Sequence, residues 1–193
     1  MAFQRKRFGM EENMKIYAFL ADGMEEVELL AVTDCLQRAK VETVLVSVMG
    51  RKEVVSSHNV TIVADEQIED VDVADADLLF LPGGMPGTTN LSNCALLIEM
   101  LKKHAAAGKR IAAICAAPSV LGQNGLLTGK KATCYPGFEN ALIGAEYTGE
   151  KVVTDGLITT AKGMGAAIDL GLELVKILVS GEEAQRVCDA IYY

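Results

Sequence analysis

The residue best suited to chemistry in this sequence is a cysteine that directly follows an apolar run. Residues 110–114 read R-I-A-A-I, and Cys115 comes next, before two alanines and Pro118. Proline favours the first turn of a helix, where its missing N–H group costs no hydrogen bond. We therefore expect Cys115 on a strand-to-helix elbow, where free N–H groups and the helix dipole would lower its pKa. The alternative is an inert core cysteine, as most free cysteines are.

A carboxylate on the apolar side of a helix is the second candidate. On a predicted helix near residues 26–40, Glu28 projects onto the middle of the apolar side. A charged carboxylate in a core costs several kcal/mol unless it is paired or protonated. We therefore expect a raised pKa for Glu28, which would let it donate or carry a proton at neutral pH. The alternative is that Glu28 reaches solvent and a neighbouring glutamate acts instead.

A glycine pair supplies the third feature. Gly83 and Gly84 lie in L-P-G-G-M-P-G, directly after the apolar segment D-L-L-F. Without a Cβ, their N–H groups can approach a ligand and, with that of Ala116, form an oxyanion hole. A P-G-G segment alone indicates only a turn. The glycines match neither a P-loop nor a dinucleotide-binding pattern, so the sequence does not support nucleotide binding.

These residues need a scaffold, and the hydrophobic pattern predicts one. From Met14 onward, continuously apolar strands alternate with helical segments, which is typical of a parallel sheet covered on both faces. We predict a three-layer flavodoxin-like α/β sandwich with a mostly parallel sheet, whose strand ends carry the site. The segment at 53–64 has no helix between its two strands and predicts a hairpin added at an edge. Helices are predicted near 26–40, 88–107, from about 117, and near 165–180, with a strand at K-A-T-C-Y.

Length and composition limit the classes of protein. We expect a single domain over residues 14–193, while residues 1–13 show no period and are interpreted as a disordered extension or an expression remnant. A net charge of -8 argues against nucleic acid as a partner. No apolar stretch is long enough to span a membrane. The five cysteines include no C-x-x-C pair, so we expect free thiols in a cytoplasmic protein, with no metal and no cofactor.

Five segments together resemble the DJ-one/ThiJ/PfpI superfamily, in the branch that includes the parkinsonism-associated protein and its bacterial counterparts. The resemblance runs from about residue 14 to the C-terminus and implies a flavodoxin-like homodimer. It also implies a reactive cysteine at Cys115, a protonated glutamate at Glu28, and backbone donors at Gly83, Gly84 and Ala116. The segments are A-D-G-M-E-E-V-E, L-P-G-G-M-P-G, I-A-A-I-C-A-A-P, K-A-T-C-Y-P and D-G-L-I-T-T-A-K-G-M-G.

The resemblance implies chemistry on reactive carbonyl compounds. The implied activities are a cysteine-dependent, glutathione-independent glyoxalase and a deglycase, with small dicarbonyls or glycated side chains as partners. The alternative is a redox-sensing, chaperone-like protein whose Cys115 is oxidised to sulfinic acid, with Cys134 as a candidate resolving thiol. Where the human-type member has a histidine, this chain has Tyr135. A phenol with a pKa of about 10 is a poor base, so Tyr135 would orient the substrate.

Two further activities known in the superfamily fit this sequence less well. The protease-like branch has a histidine directly after the cysteine, where this chain has Ala116, and we place His58 in the hairpin and His104 on a helix surface. Cysteine peptidase activity and a thiazole-biosynthesis role are therefore disfavoured.

Leu29 and Leu30 project toward the polar side of their helix, which favours a buried dimer contact.

Overall fold

The computed structural model describes residues 14–193, in which strands and helices alternate. The predicted extension at residues 1–13 lies outside the described residues. The strands are β1 (Lys15–Leu20), β2 (Glu42–Ser47), β3 (Glu53–Val55), β4 (Thr61–Val63), β5 (Glu66–Gln67), β6 (Leu78–Leu81), β7 (Arg110–Ile114), β8 (Lys131–Ala132), β9 (Glu146–Tyr147), β10 (Val152–Asp155) and β11 (Ile158–Ala161). The helices are α1 (Glu26–Arg38), α2 (Gly87–Asn93), α3 (Ala95–Ala106), α4 (Pro118–Gln123), α5 (Ala167–Leu178) and α6 (Gly181–Ala190).

A seven-stranded sheet forms the centre of the fold. Its strand order is β10-β11-β7-β6-β1-β2-β5. Neighbouring strands are parallel throughout, except for the antiparallel pair of β10 and β11. The predicted α/β fold with a mostly parallel central sheet is confirmed. The carboxyl ends of β1, β6, β7 and β11 therefore meet along one edge, which is where the candidate residues lie.

Both faces of the sheet are covered, which explains why its strands are apolar at consecutive positions. Along β1, Ile16 and Ala18 belong to the core shared with α1, α5 and α6. The alternate residues Tyr17 and Phe19 belong to the core shared with α2, α3 and α4. Successive side chains of a strand point to opposite faces, so this division places one helix layer on each side.

The predicted hairpin forms, but it does not extend the central sheet. Strands β3 and β4 pair antiparallel as a separate two-stranded sheet. The edge position beside β2 is occupied by the short strand β5 instead. The hairpin is attached to the loop after β1, because Gly23 N–H donates to the Val55 carbonyl and Ser57 N–H donates to the Met24 carbonyl, both at 2.8 Å. It therefore supports the loop that leads into Glu28.

Three other elements differ from the sequence prediction. The helix expected over 88–107 is divided at Cys94, whose backbone is extended, after a stretch of Thr, Asn and Ser residues that favour helices poorly. The predicted strand K-A-T-C-Y is reduced to β8, which pairs with β9. Helix α6 was not predicted. Among residues 14–193, no helix has the length and apolar character needed to cross a bilayer.

Candidate active site

Cys115 occupies a strained elbow between β7 and α4. Its φ is 65°, in the left-handed region that side-chain-bearing residues rarely adopt. Two main-chain hydrogen bonds hold it there, with Cys115 N–H donating to the Ala161 carbonyl at 2.9 Å and Tyr135 N–H donating to the Cys115 carbonyl at 2.8 Å. Such strain persists only where the surroundings over-determine it, and it is common at functional sites. The elbow turns the thiol into a cavity at the sheet edge.

Glu28 is completely buried on α1, in agreement with its projection onto the apolar side. Its Oε2 accepts a hydrogen bond from the Gly83 N–H at 2.8 Å. Its Oε1 accepts no hydrogen bond from any group in the described part of the chain. Burial raises the pKa of Glu28 to about 7, although the neighbouring Cys115 thiol and the Gly83 N–H oppose the rise. Glu28 is therefore poised to gain or lose a proton near neutral pH.

The structure corrects the expectation that the helix dipole lowers the pKa of Cys115. Burial, followed by the charge and hydrogen bonding of Glu28, raises the pKa of the Cys115 thiol to about 12. The N–H groups of Gly84 and Ala116 act in the opposite direction. The sequence argument for the thiol pKa counted only the helix, which has six residues, and left out burial and the effect of the Glu28 carboxylate. The two side chains titrate as a coupled pair, in which loss of the first proton opposes loss of the second.

The two glycines interact with different side chains of the site. The Gly83 N–H is bonded to Glu28, so it is not free to serve as the predicted oxyanion donor. The N–H groups of Gly84 and Ala116 act on Cys115 instead. A Cβ at Gly83 would lie 2.6 Å from the Cys115 Cβ and 2.7 Å from the Glu28 Oε2. Only glycine allows this close approach of loop, thiol and carboxyl.

A cavity of about 660 Å³ opens onto this pair. Cys115 and Glu28 line it together with Tyr135, which is half exposed. Two lysines that the sequence analysis did not single out also line it, Lys151 and Lys162. Lys162 directly follows β11, which runs parallel to β7. A residue after a second parallel strand was therefore the available signal, because it must lie at the same edge of the sheet.

The two histidines lie away from the thiol. His104 is buried rather than on a helix surface, with its Nε2 3.1 Å from the Arg110 carbonyl oxygen, and burial lowers its pKa to about 4. His104 is buried because α3 packs the side that carries it against the start of β7. His58 is exposed in the turn of the hairpin, with its Nδ1 3.0 Å from Glu26 Oε1. Neither lines the Cys115 cavity, so the base required by a cysteine peptidase is missing there.

Two further groups bear on the sequence predictions. Glu25, Glu26 and His58 offer ligand atoms within 4.8 Å of one another, but hydrogen bonds among them and with Ser57 already satisfy these atoms. Cys134 is completely buried and does not line the cavity, so a resolving thiol at this position would lack access to solvent.

Comparison with known proteins supports the family resemblance that the five sequence segments indicate. The DJ-1/PfpI family model matches residues 14–177. Protein DJ-1 homolog B of Arabidopsis thaliana is 34% identical over 184 residues, covering 95% of this chain and 42% of the relative, so this chain spans less than half of that protein. A Caenorhabditis elegans protein named glutathione-independent glyoxalase DJR-1.2 is 31% identical over 165 residues, covering 84% of this chain and 87% of that protein.

Solved structures give the same result. The structure of oxidized DJ-1 from Toxoplasma gondii superposes with a TM-score of 0.90 at 36% sequence identity, covering 93% of this chain and 98% of that chain. The residues of this chain that the family model matches include Cys115, Glu28 and the glycine pair. The chain therefore belongs to the DJ-1/PfpI family.

Proposed function

We propose that the protein is a cysteine-dependent, glutathione-independent glyoxalase that converts 2-oxoaldehydes such as methylglyoxal into 2-hydroxy acids. The observation that carries the proposal is the pair of Cys115 and Glu28, which shares one proton on the wall of a single cavity. The glyoxalase name of the C. elegans relative supports the same chemistry. Tyr135 replaces the family histidine, and Glu28 makes a second base unnecessary because it can move every proton that the reaction requires.

The first step is addition of sulfur to the aldehyde. The Glu28 carboxylate takes the proton of the Cys115 thiol, the sulfur attacks the aldehyde carbon, and an S–C bond forms while the carbonyl π electrons move to oxygen. The N–H groups of Gly84 and Ala116 stabilise the developing negative charge. Glu28 then gives its proton to that oxygen. The product is a hemithioacetal, and Glu28 is left as a carboxylate.

The second step moves a proton between two carbons. The Glu28 carboxylate removes the hydrogen of the former aldehyde carbon as a proton, and the electron pair forms an enediolate whose negative charge lies on the former ketone oxygen. Glu28 returns the proton to the neighbouring carbon, and the hydroxyl proton of the former aldehyde carbon moves to the former ketone oxygen, which gives the thioester of a 2-hydroxy acid. One carbon is oxidised from aldehyde to acyl level and its neighbour is reduced from ketone to alcohol, so no external oxidant is needed. Water hydrolyses the thioester to release lactate and the free thiol.

The size of the cavity also bears on the substrate. A volume of about 660 Å³ is much larger than methylglyoxal requires. The half-exposed Tyr135 borders this space and would orient whatever enters it. We extend the proposal to early glycation adducts on protein side chains, which present the same carbonyl-derived carbon to the thiol. Removal of such adducts would be the deglycase activity.

The direct test is to incubate the protein with methylglyoxal, without glutathione, and to follow lactate by proton NMR. We expect steady lactate formation by the wild type and by Cys94→Ser, which changes a thiol outside the cavity. Cys115→Ser and Glu28→Gln should each lose activity by about a hundredfold or more, because one removes the nucleophile and the other the proton carrier. Wild-type rates in either variant would refute the assigned roles.

A redox-sensing function is the second candidate, and the surroundings of the thiol favour it. The N–H groups of Gly84 and Ala116, and Glu28 in its protonated form, lie beside Cys115, where they would donate hydrogen bonds to the oxygens of a sulfinate. Two molecules of hydrogen peroxide would oxidise the thiolate to sulfinate and leave two molecules of water. Mass spectrometry after peroxide treatment tests this. Selective oxidation of Cys115 in a protein that forms no lactate would favour the sensor over the enzyme.

A further inference from the structure

We propose that Lys162 makes the Cys115 cavity selective for carbonyl compounds that also carry a carboxylate group. The inference rests on the proposed function, since it names the class of substrate that this site would prefer. It begins from a cation in the cavity that has no role in the steps derived above.

The backbone holds Lys162 firmly at the cavity wall. The preceding residue, Ala161, accepts the hydrogen bond of the Cys115 N–H. The following residue, Gly163, lies against the Tyr135 ring, where an added Cβ would be 3.1 Å from a ring carbon. The Lys162 N–H itself donates to the Lys151 carbonyl at 3.0 Å. Lys162 is therefore tied through its neighbours to both the nucleophile and the tyrosine.

The charge of Lys162 is not neutralised by any described acidic side chain. Its Nζ donates to the Gly149 carbonyl at 3.3 Å, a neutral acceptor, and it makes no ion pair within residues 14–193. The other lysine of the cavity differs, because Lys151 Nζ lies 2.6 Å from Asp169 Oδ2. Lys162 is partly buried at the cavity wall, and a partly buried ammonium group attracts an anion more strongly than a solvated one, because the local dielectric constant is lower.

The position of Lys162 suits a substrate group other than the reacting atoms. The described groups that shift the pKa of Cys115 are Glu28 and the two backbone N–H groups, and Lys162 is not among them. The thiol and Glu28 hold one negative charge on their own wall, while Glu25 lies within 3.8 Å of His58 at the rim. An anionic substrate group is repelled from those walls and attracted to Lys162.

The single ammonium group indicates a carboxylate rather than a phosphate. A phosphate dianion is usually bound by several donors, such as a helix N-terminus or an arginine fork. Lys162 offers one flexible cation, which matches one negative charge. The predicted ligands are therefore aldehydes and 2-oxoaldehydes that also carry a carboxylate group.

Two alkylating reagents test the inference without requiring turnover. Iodoacetate and iodoacetamide both form an S–C bond with the thiolate and release iodide, and they differ only in carrying a carboxylate or an amide. The measurement is the ratio of their rate constants at Cys115, followed by peptide mass spectrometry. In Lys162→Gln, we expect iodoacetate to slow relative to iodoacetamide by about threefold to tenfold. Added salt should reduce this difference, and Lys162→Arg should restore the wild-type ratio.

A matched control separates the local charge from the net charge. Lys176→Gln removes one positive charge from an exposed lysine outside the Cys115 cavity, and the ratio should stay at the wild-type value. An unchanged ratio in Lys162→Gln, or an equal change in both variants, would overturn the inference.

A second measurement uses reversible ligands of the predicted class. Glyoxylate has an aldehyde next to a carboxylate, and acetaldehyde has the aldehyde alone. Both can add to the thiol and protect it from iodoacetamide. Replacing Lys162 by glutamine should raise the protecting concentration of glyoxylate severalfold and leave that of acetaldehyde unchanged. Equal changes for the two aldehydes would contradict the proposal. Neither measurement depends on lactate, so a protein that lacks glyoxalase activity but shows these shifts would lose only the proposed function.

Discussion

Cys115 and Glu28 illustrate how neighbours decide the chemistry of a side chain. Each group is buried, and burial opposes the charged form of both. Because they are adjacent, a second negative charge on the pair costs far more than the first. The proton that remains is available to the reacting carbonyl on either side chain, which is the requirement for the two steps proposed above.

The raised pKa of Glu28 predicts a pH dependence of stability. The folded pKa of about 7 lies above the ordinary value of 4.5, so between these values the folded protein holds a proton that the unfolded chain has lost. The free energy of unfolding should therefore fall as the pH rises from 4.5 to 7, by about 3 kcal/mol from this group, and remain lower above pH 7. Glu28→Gln should abolish this contribution.

Urea denaturation of the wild type and Glu28→Gln at pH 4.5 and pH 8 measures the contribution of Glu28. Glutamine keeps the size of the side chain and an oxygen for the Gly83 N–H, so the variant should gain stability relative to the wild type at the higher pH. A constant difference between the two proteins at both values would show that Glu28 does not titrate as described.

The sequence located these two residues and predicted the raised pKa of Glu28, but it did not predict the pKa of Cys115. Cys115 was visible from an apolar strand followed by small residues and proline, and Glu28 from a carboxylate on an apolar helix side. The direction of the Cys115 pKa shift was predicted wrongly, because it depends on a carboxyl group that is distant in sequence and on the depth of burial. Lys162 directly follows a predicted strand, which was the available signal, but its residue type alone does not distinguish it from a surface lysine.

At the scale of elements, helix α6 shows a signal that was present in the sequence and overlooked. Ser180 is followed three positions later by Glu183, which is the spacing of a capping box. In the structure, the Ser180 hydroxyl oxygen accepts a hydrogen bond from the Glu183 N–H at 3.1 Å. Arg186 pairs with Glu183 and also donates to the Arg38 carbonyl at 2.6 Å, which joins α6 to the end of α1.

Removing this cap should weaken α6. Ser180→Ala should lower the free energy of unfolding by about 1 kcal/mol, because the first turn loses a side-chain acceptor. Ser180→Thr keeps a hydroxyl and should stay close to the wild type. The measurement is the urea midpoint of each variant, with circular dichroism as the probe. Equal stability of the alanine variant and the wild type would show that the cap contributes nothing.

Other elements show what a local sequence pattern cannot predict. The hairpin at 53–64 was recognised from its two short strands, but its partner was not, because strand pairing is decided by distant segments. The two-residue strand β5 occupies the edge of the central sheet beside β2. In α1, Leu29 was predicted at a dimer contact, yet it is completely buried in the core next to α5. The helical projection could not reveal that α1 is covered on more than one side.

At the scale of the whole molecule, the alternation of apolar strands and helices predicted the fold because the inner strands β1, β6, β7 and β11 of the central sheet are covered on both faces. Some apolar side chains nevertheless remain exposed on α1 and on the hairpin. Leu30 is 45% exposed and Val63 is 61% exposed, and the two elements are joined through the contact of His58 with Glu26. A second copy of this chain is the partner that we expect to cover them.

The expected homodimer is tested by sedimentation at micromolar concentration. The wild type should sediment as a dimer, and Leu30→Glu should shift it toward the monomer because a charge cannot be buried unpaired in an apolar contact. Leu157→Glu changes a similarly exposed leucine on the turn between β10 and β11 and should leave the dimer intact. A wild type that is monomeric at this concentration would contradict the expectation.

The left-handed backbone of Cys115 has a consequence for how this position would drift under mutation. At φ 65°, glycine is free of the strain that a Cβ imposes, so a protein selected only for stability would gain by losing the cysteine. The backbone conformation at position 115 therefore disfavours the cysteine that the proposed chemistry requires. A copy of this gene released from its chemical role should accumulate glycine or asparagine at position 115 while the rest of the sheet edge stays intact.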